Sequence, residues 1–208
     1  MTAIDPQVAL DELQHCMNNM LQMVSSLLAR EARASDGLAS QILRKAEAQL
    51  EAFALLNRAL RDSAVDSVEG RPCAGAYLTT LCGHLDRACL SPAGIALEAV
   101  LEMPLPVDGA CCRALGLIAT ELVLNAAKHA FAERQGGNIG VLLTRLPKPP
   151  RIVLGVMDNG CGLDAAGQAG TGQGLGFVRM LAASIKGDCE VLTGSTGTRV
   201  AVTAPMPA

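Results

Sequence analysis

The stretch that decides the fold is Glu121–Phe131, "ELVLNAAKHAF". Glu121, Asn125, Lys128 and His129 recur at steps that bring them onto one side of a helix. Ile118, Leu122, Val123, Ala126 and Ala127 are apolar or small and take the opposite side. The segment therefore reads as an amphipathic helix, opened upstream by Asp108 in "DGACCRALGLIATELVLNAAKHAF". An amide oxygen can ligate Mg²⁺ and a lysine offers a point charge to phosphate. A face carrying acid, amide, ammonium and imidazole thus suits a nucleoside triphosphate. Taken alone, the same face also fits a solvated helix surface with a Glu–Lys pair.

Two further elements lie downstream. "VMDNGCGL", Val156–Leu163, follows directly on the strand-like "RIVLGV". It sets the Asp158 carboxylate at a strand end, where it can accept hydrogen bonds from an exocyclic amine. Gly160 and Gly162 leave room for backbone to approach a flat ligand. In "GTGQGLGFVRML", Gly172, Gly174 and Gly176 stand immediately ahead of a helix, and free amides at a helix N-terminus favour phosphate. Such a turn equally fits a tight start to a helix, and no strand leads directly into it as in a dinucleotide-binding fold.

Around these elements the pattern predicts a helix over Tyr77–Leu90 and a strand in "GIALEAVLE". Two strands, "NIGVLLTRL" and "RIVLGVMD", are joined by the stiff "PKPP". A helix in "GLGFVRMLAASI" and two closing strands, "CEVLTG" and "TRVAVTAP", complete the series. Strands mixed with helices, several of them linked as hairpins, predict a layered α/β sandwich. The N-terminal third differs. A helix from near Pro6 to about Arg33 carries Leu10, Leu13, Met17, Met20, Val24 and Leu27 as one seam, widened by Leu21 and Leu28. "ASDG" breaks it, and a second helix carries Leu43, Ala46, Leu50, Phe53, Leu56 and Leu60 to about Ser63. Two helices alone cannot bury both seams, so a dimer closing a four-helix bundle is expected. The class is α+β: a helical hairpin over residues 1–66, then an α/β sandwich over residues 75–208.

Composition narrows the function. Half of the 208 residues are apolar, yet only 2% are aromatic and there is no Trp, so the core is aliphatic. The net charge of −3, scattered basic residues and missing stacking platforms argue against nucleic acid as a partner. The eight cysteines lie in apolar helical patterns without a Cys-x-x-Cys pair or a His at metal-ligand spacing, which predicts buried thiols in a reducing compartment. No signal peptide is visible and no uninterrupted apolar run spans a bilayer, so the expectation is a cytoplasmic protein without a membrane partner. Met1 stands a few residues before the first helix, so the expected sensor is a separate protein.

In "HCMNNMLQMVSSLL", His15 falls on the side of the first helix away from its seam. Below it runs an uncharged polar stripe of Asn18, Asn19, Gln22, Ser25 and Ser26. Alone, His15 fits an ordinary solvated histidine.

In their order and spacing, "ELVLNAAKHAF", "DNGCGL" and "GQGLG" resemble the N, G1 and G2 boxes of the ATP-binding domain of sensor histidine kinases. That domain has the GHKL (Bergerat) α/β sandwich. The first helix is similar to the phosphoacceptor helix of the subgroup whose motif reads H-R-x-K-N-N-L-Q, and the likeness covers roughly residues 8 to 204. It implies ATP and Mg²⁺ as cofactors, with Asn125 holding the metal and Asp158 recognising adenine. It further implies Gly160 and Gly162 at the base, Lys128 and His129 facing phosphates, Gly172, Gly174 and Gly176 cradling them, and Glu121 as the N-box acid. Leu163 to Thr171 is the implied lid. His15 is the implied phosphoacceptor, Asn19 the residue orienting water for the reverse reaction, and a response-regulator receiver domain the partner of the homodimer. Cys16 and Asn18 stand where the subgroup has Arg and Lys, and Met20 where it has Asn, which removes positive charge beside the phosphoacceptor. A relay that passes phosphate between receiver domains without using ATP is the competing expectation.

Overall fold

The computed structural model describes residues 23–37, 39–40, 43, 70–131, 136–163 and 173–206. The chain forms two compact units, Met1–Asn57 and Arg58–Ala208. In the first, residues 23–34 are helical and the helix stops at 35–36, where "ASDG" predicts the break. Gly37 takes a left-handed φ of 62°, and the Ser40 hydroxyl donates to the Ala32 carbonyl at 2.7 Å across the turn. His15, Asn19, most of the second helix and most of the expected boundary at 63–75 lie outside the described residues.

The second unit is built around helix α2, Gly109–His129, which follows helix α1 (Ala74–Leu85) and precedes α3 (Gln173–Ser184). Asp108 caps α2, its carboxylate accepting the Cys111 N–H at 2.7 Å. Cys111, Cys112, Leu115, Ile118, Ala119, Leu122 and Val123 form its buried stripe, and each fully buried Leu or Ile contributes about 1.5–3 kcal/mol. Thr120 is the buried polar residue of that stripe, and its hydroxyl donates to the Gly116 carbonyl at 2.9 Å. At 21 residues α2 is long enough to cross a membrane, but it is the core helix of this unit and mostly buried.

Five strands form one mixed sheet: β1 Ile95–Leu101, β2 Gly137–Pro147, β3 Pro150–Asp158, β4 Asp188–Gly194 and β5 Gly197–Pro205, in spatial order β1-β2-β3-β5-β4. β1 is parallel to β2, joined through α2, and every other pairing is antiparallel. Ile139, Val141 and Leu143 on β2 are buried, as are Ile152, Leu154 and Val156 on β3 and Val200, Val202 and Ala204 on β5. Apart from the buried Gly155, the residues between them stay half-buried or exposed, so the helices cover one face of the sheet. The α/β sandwich expected from the sequence is the observed one.

Three local expectations are corrected. The helix expected from Tyr77 begins at Ala74, and past Leu85 it continues as a π-helical turn, Asp86–Leu90. In β1 the inward alternation holds for Ile95 but not for Ala99, which is exposed because β1 is an edge strand. The glycine turn ahead of the third helix is not a loop at Gly174 and Gly176: α3 starts at Gln173 and contains both.

Candidate functional site

α2 supplies the first part of the site. On its half-buried face the Asn125 Nδ2 donates to Glu121 Oε1 at 3.2 Å. With the amide nitrogen committed to the carboxylate, the Asn125 carbonyl oxygen is left to accept or to ligate. Gly174, in the first turn of α3, closes against this pair. A Cβ on Gly174 would stand 2.6 Å from Asn125 Nδ2 and 2.7 Å from Glu121 Oε1. The glycine therefore lets the start of α3 lie on the polar face of α2 with the Asn125–Glu121 hydrogen bond in place. Gly176 shows no such demand, since a Cβ there meets nothing within 4 Å, and Gly172 lies outside the described residues. Lys128 and His129 are exposed in the last turn of α2, where positive charge also complements the helix dipole.

The second part lies at the end of β3. Asp158 Oδ1 accepts the Gly160 N–H at 2.9 Å and the Thr198 N–H at 3.2 Å, which leaves Oδ2 without a hydrogen-bond partner among the described residues. The turn that follows is fixed to α2. The Cys161 N–H donates to the Ala130 carbonyl at 3.0 Å, and Gly160 packs directly on Ala130. Gly162 has a left-handed φ of 79° and lies against the Gly194 carbonyl. The missing side chains of these two glycines also make room for α2 and for β4, a packing demand that their spacing in the sequence does not reveal. Ala130 is five residues beyond Asn125, about 7.5 Å along a helix axis. The Asp158 turn and the Asn125 amide are therefore two polar stations spaced along one helix.

Sequence reasoning missed Thr193 and Thr198. They face each other across the β4–β5 hairpin, with their hydroxyl oxygens 3.1 Å apart. Thr193 Oγ1 also accepts the Leu163 N–H at 2.8 Å. The signal was present in "TGSTGT", two threonines flanking a glycine-rich turn.

Four of the described thiols, Cys73, Cys82, Cys111 and Cys112, are buried as the composition suggests, while Cys89 and Cys189 are half-buried. Burial pushes Cys82 and Cys111 up to about 11 and Cys112 up to about 12, so they stay protonated and inert. Cys161, in the turn that follows Asp158, is exposed. Among the described residues no group of His, Cys, Asp and Glu forms a metal-binding cluster.

The family described as "Histidine kinase-, DNA gyrase B-, and HSP90-like ATPase" matches residues 112–208, and that described as "Histidine kinase" matches residues 12–89. The chain belongs to the histidine kinases. Its second unit is a GHKL-type ATPase domain, for which ATP is the family's nucleotide. Among curated proteins, Blue-light-activated histidine kinase 2 of Erythrobacter litoralis (strain HTCC2594) is 26% identical over 213 residues, 99% of this chain and 58% of that relative. The chain thus spans less than two thirds of the relative's length. The histidine kinase domain of the Erythrobacter litoralis EL346 blue-light activated histidine kinase superposes with a TM-score of 0.65 at 19% identity, over 89% of this chain and 96% of that one. Full-length ShkA in complex with AMPPNP gives a TM-score of 0.55 at 18% identity, over 99% of this chain and 47% of that one. These likenesses bear on the fold, which they share with this histidine kinase.

Proposed function

We propose that this chain is the catalytic core of a two-component histidine kinase, a cytoplasmic homodimer that phosphorylates His15 from Mg-ATP. It then hands the group to an aspartate on a response-regulator receiver domain. The observation that carries the reading is the pairing of two prepared groups on one helix-lined surface. One is the Asp158 carboxylate, with one oxygen held by two backbone N–H groups and the other free to accept from the adenine amine. The other is the Asn125 amide, turned by Glu121 so that its oxygen suits a hard cation.

Asn125 would hold Mg²⁺, whose charge offsets that of the phosphates. Lys128, His129 and the N-terminal amides of α3 add further positive potential at that end. The neutral imidazole of His15 attacks the γ-phosphorus; the N–P bond forms as the bond to the β-phosphate oxygen breaks, and ADP leaves. Asn19, four residues on in the sequence, orients water for the reverse, phosphatase reaction. The hairpin of residues 1–66 supplies the dimer. Val24 and Leu27, on its expected seam, are 39% and 44% exposed in the single chain, an apolar edge that a second copy would cover. The relay that does without ATP is not favoured, because the ATPase family matches residues 112–208 and both Asn125 and Asp158 stand in prepared geometry.

Calorimetric titration of ATP into the full chain tests the nucleotide site. Asp158→Asn is expected to weaken ATP binding about tenfold or more with or without Mg²⁺, and Asn125→Ala to abolish the part of the affinity that depends on Mg²⁺. Unchanged ATP affinity in Asp158→Asn refutes the assignment.

A further inference from the structure

The two hydroxyls behind Asp158 lie close enough for either to donate to the other, and the direction that satisfies both bears on which purine the site accepts. Thr193 Oγ1 already accepts a proton from the Leu163 N–H at 2.8 Å. Its own proton then has Thr198 Oγ1, 3.1 Å away, as the acceptor within reach among the described residues. A hydroxyl that accepts from one neighbour keeps its own proton to give to another. With Thr193 as the donor, Thr198 is so placed: its backbone N–H is committed to Asp158 Oδ1, and its own hydroxyl proton remains to be given. Asp158 Oδ2 offers an acceptor. The half-buried site therefore presents one acceptor and one donor side by side. Adenine shows the complementary order on its pairing edge, with an amine that donates and a ring nitrogen that accepts; guanine shows the reverse.

We infer that Thr193, a residue outside the three boxes, is a positioning residue for base selection: by giving its proton to Thr198 it holds the Thr198 hydroxyl as a donor and sets the site for adenine over guanine. The inference rests on the nucleotide site proposed above and adds to it the residue that fixes the sense of the hydrogen bond. Thr193 touches no base itself. It acts through Thr198, and the Leu163 N–H in turn fixes Thr193.

The test is the ratio of ATP to GTP affinity, measured by displacement of a fluorescent nucleotide from the 208-residue chain, with thermal unfolding in parallel. Thr193→Val keeps the β-branched shape and removes the hydroxyl; Thr193→Ser keeps the hydroxyl. Thr193→Val is expected to weaken ATP about tenfold while GTP changes little, so that the ratio contracts about tenfold. Thr193→Ser is expected to hold both affinities at the wild-type level. If Thr193→Val unfolds early, Thr193→Ala removes the same hydroxyl without adding bulk toward Gly162 and is read in the same way. An unchanged ratio, or an equal loss for both nucleotides, overturns the inference while leaving the ATP site intact. Wild-type protein that binds neither nucleotide overturns the site reading, and the inference with it.

Discussion

Replacing Gly174 by alanine separates stability from nucleotide binding in a way the helix contact makes quantitative. The new Cβ would sit 2.6 Å from Asn125 Nδ2 and 2.7 Å from Glu121 Oε1, whereas a relaxed contact needs about 3.5 Å. Both side-chain ends must retreat by nearly 1 Å, and they are tied to each other at 3.2 Å, so their hydrogen bond cannot survive in place. The obstacle is the tip of two side chains rather than backbone, and alanine in a helix is favoured over glycine by up to about 1 kcal/mol. The fold should therefore tolerate the change, with Tm within about 4 °C of the wild type. Loss of the bond that aims Asn125, at about 1.5 kcal/mol for a charged acceptor, should weaken Mg-ATP binding about tenfold. Titration calorimetry and thermal melts on the same preparations measure both. In an Asn125→Ala background the Gly174→Ala change should cost nothing further, since the group it disturbs is gone. Undiminished Mg-ATP affinity in Gly174→Ala, or an additive loss in the double variant, would refute the claim that Asn125 acts from this geometry.

Two pH responses follow from the titrating groups of the second unit. Burial raises Cys82, Cys111 and Cys112 to about 11, 11 and 12, so their contribution is full below the unfolded thiol value of about 8.5 and is lost as pH climbs toward 11–12; Cys112→Ala should flatten that alkaline fall in denaturant midpoint. Glu102 lies below the usual carboxylate range, chiefly because its carboxylate accepts the Arg145 N–H at 2.8 Å, with the Thr144 hydroxyl at 2.9 Å and the Arg145 guanidinium adding to it. Its contribution is present above about pH 4.3 and disappears as pH drops through the lowered folded value, so Glu102→Gln should lose the acid-side dependence seen in the parent.

What the sequence made legible was whatever is decided within one element. The Asp108 cap, the buried stripe from Cys111 to Val123 and the polar face from Glu121 to His129 are all consequences of helical spacing, and helix α2 appears where they put it. The hairpin strands were equally open to reading, because Ile139, Val141 and Leu143 alternate with half-exposed neighbours. Asp158 at a strand end was read from "RIVLGVMD" alone. Its partner was not. Thr198 lies 40 residues on, and the two meet because β4 takes the sheet edge while β5 returns between β3 and β4, which brings Met157 opposite Arg199. Strand order is a property of the whole sheet and leaves no mark on local spacing. The glycines illustrate the same limit: "DNGCGL" and "GQGLG" announce close approach, yet only the packing shows that Gly160 approaches Ala130, Gly162 the Gly194 carbonyl and Gly174 the Asn125–Glu121 pair.

The most direct test of the account is whether ATP labels His15. The 208-residue chain incubated with γ-labelled Mg-ATP should acquire a label that is stable in alkali and lost in acid, as a phosphoramidate is. The label should be absent from His15→Ala and reduced at least tenfold in Asn125→Ala. A wild-type protein that binds ATP yet gains no such label, or a His15→Ala variant labelled as well as the parent, would contradict it.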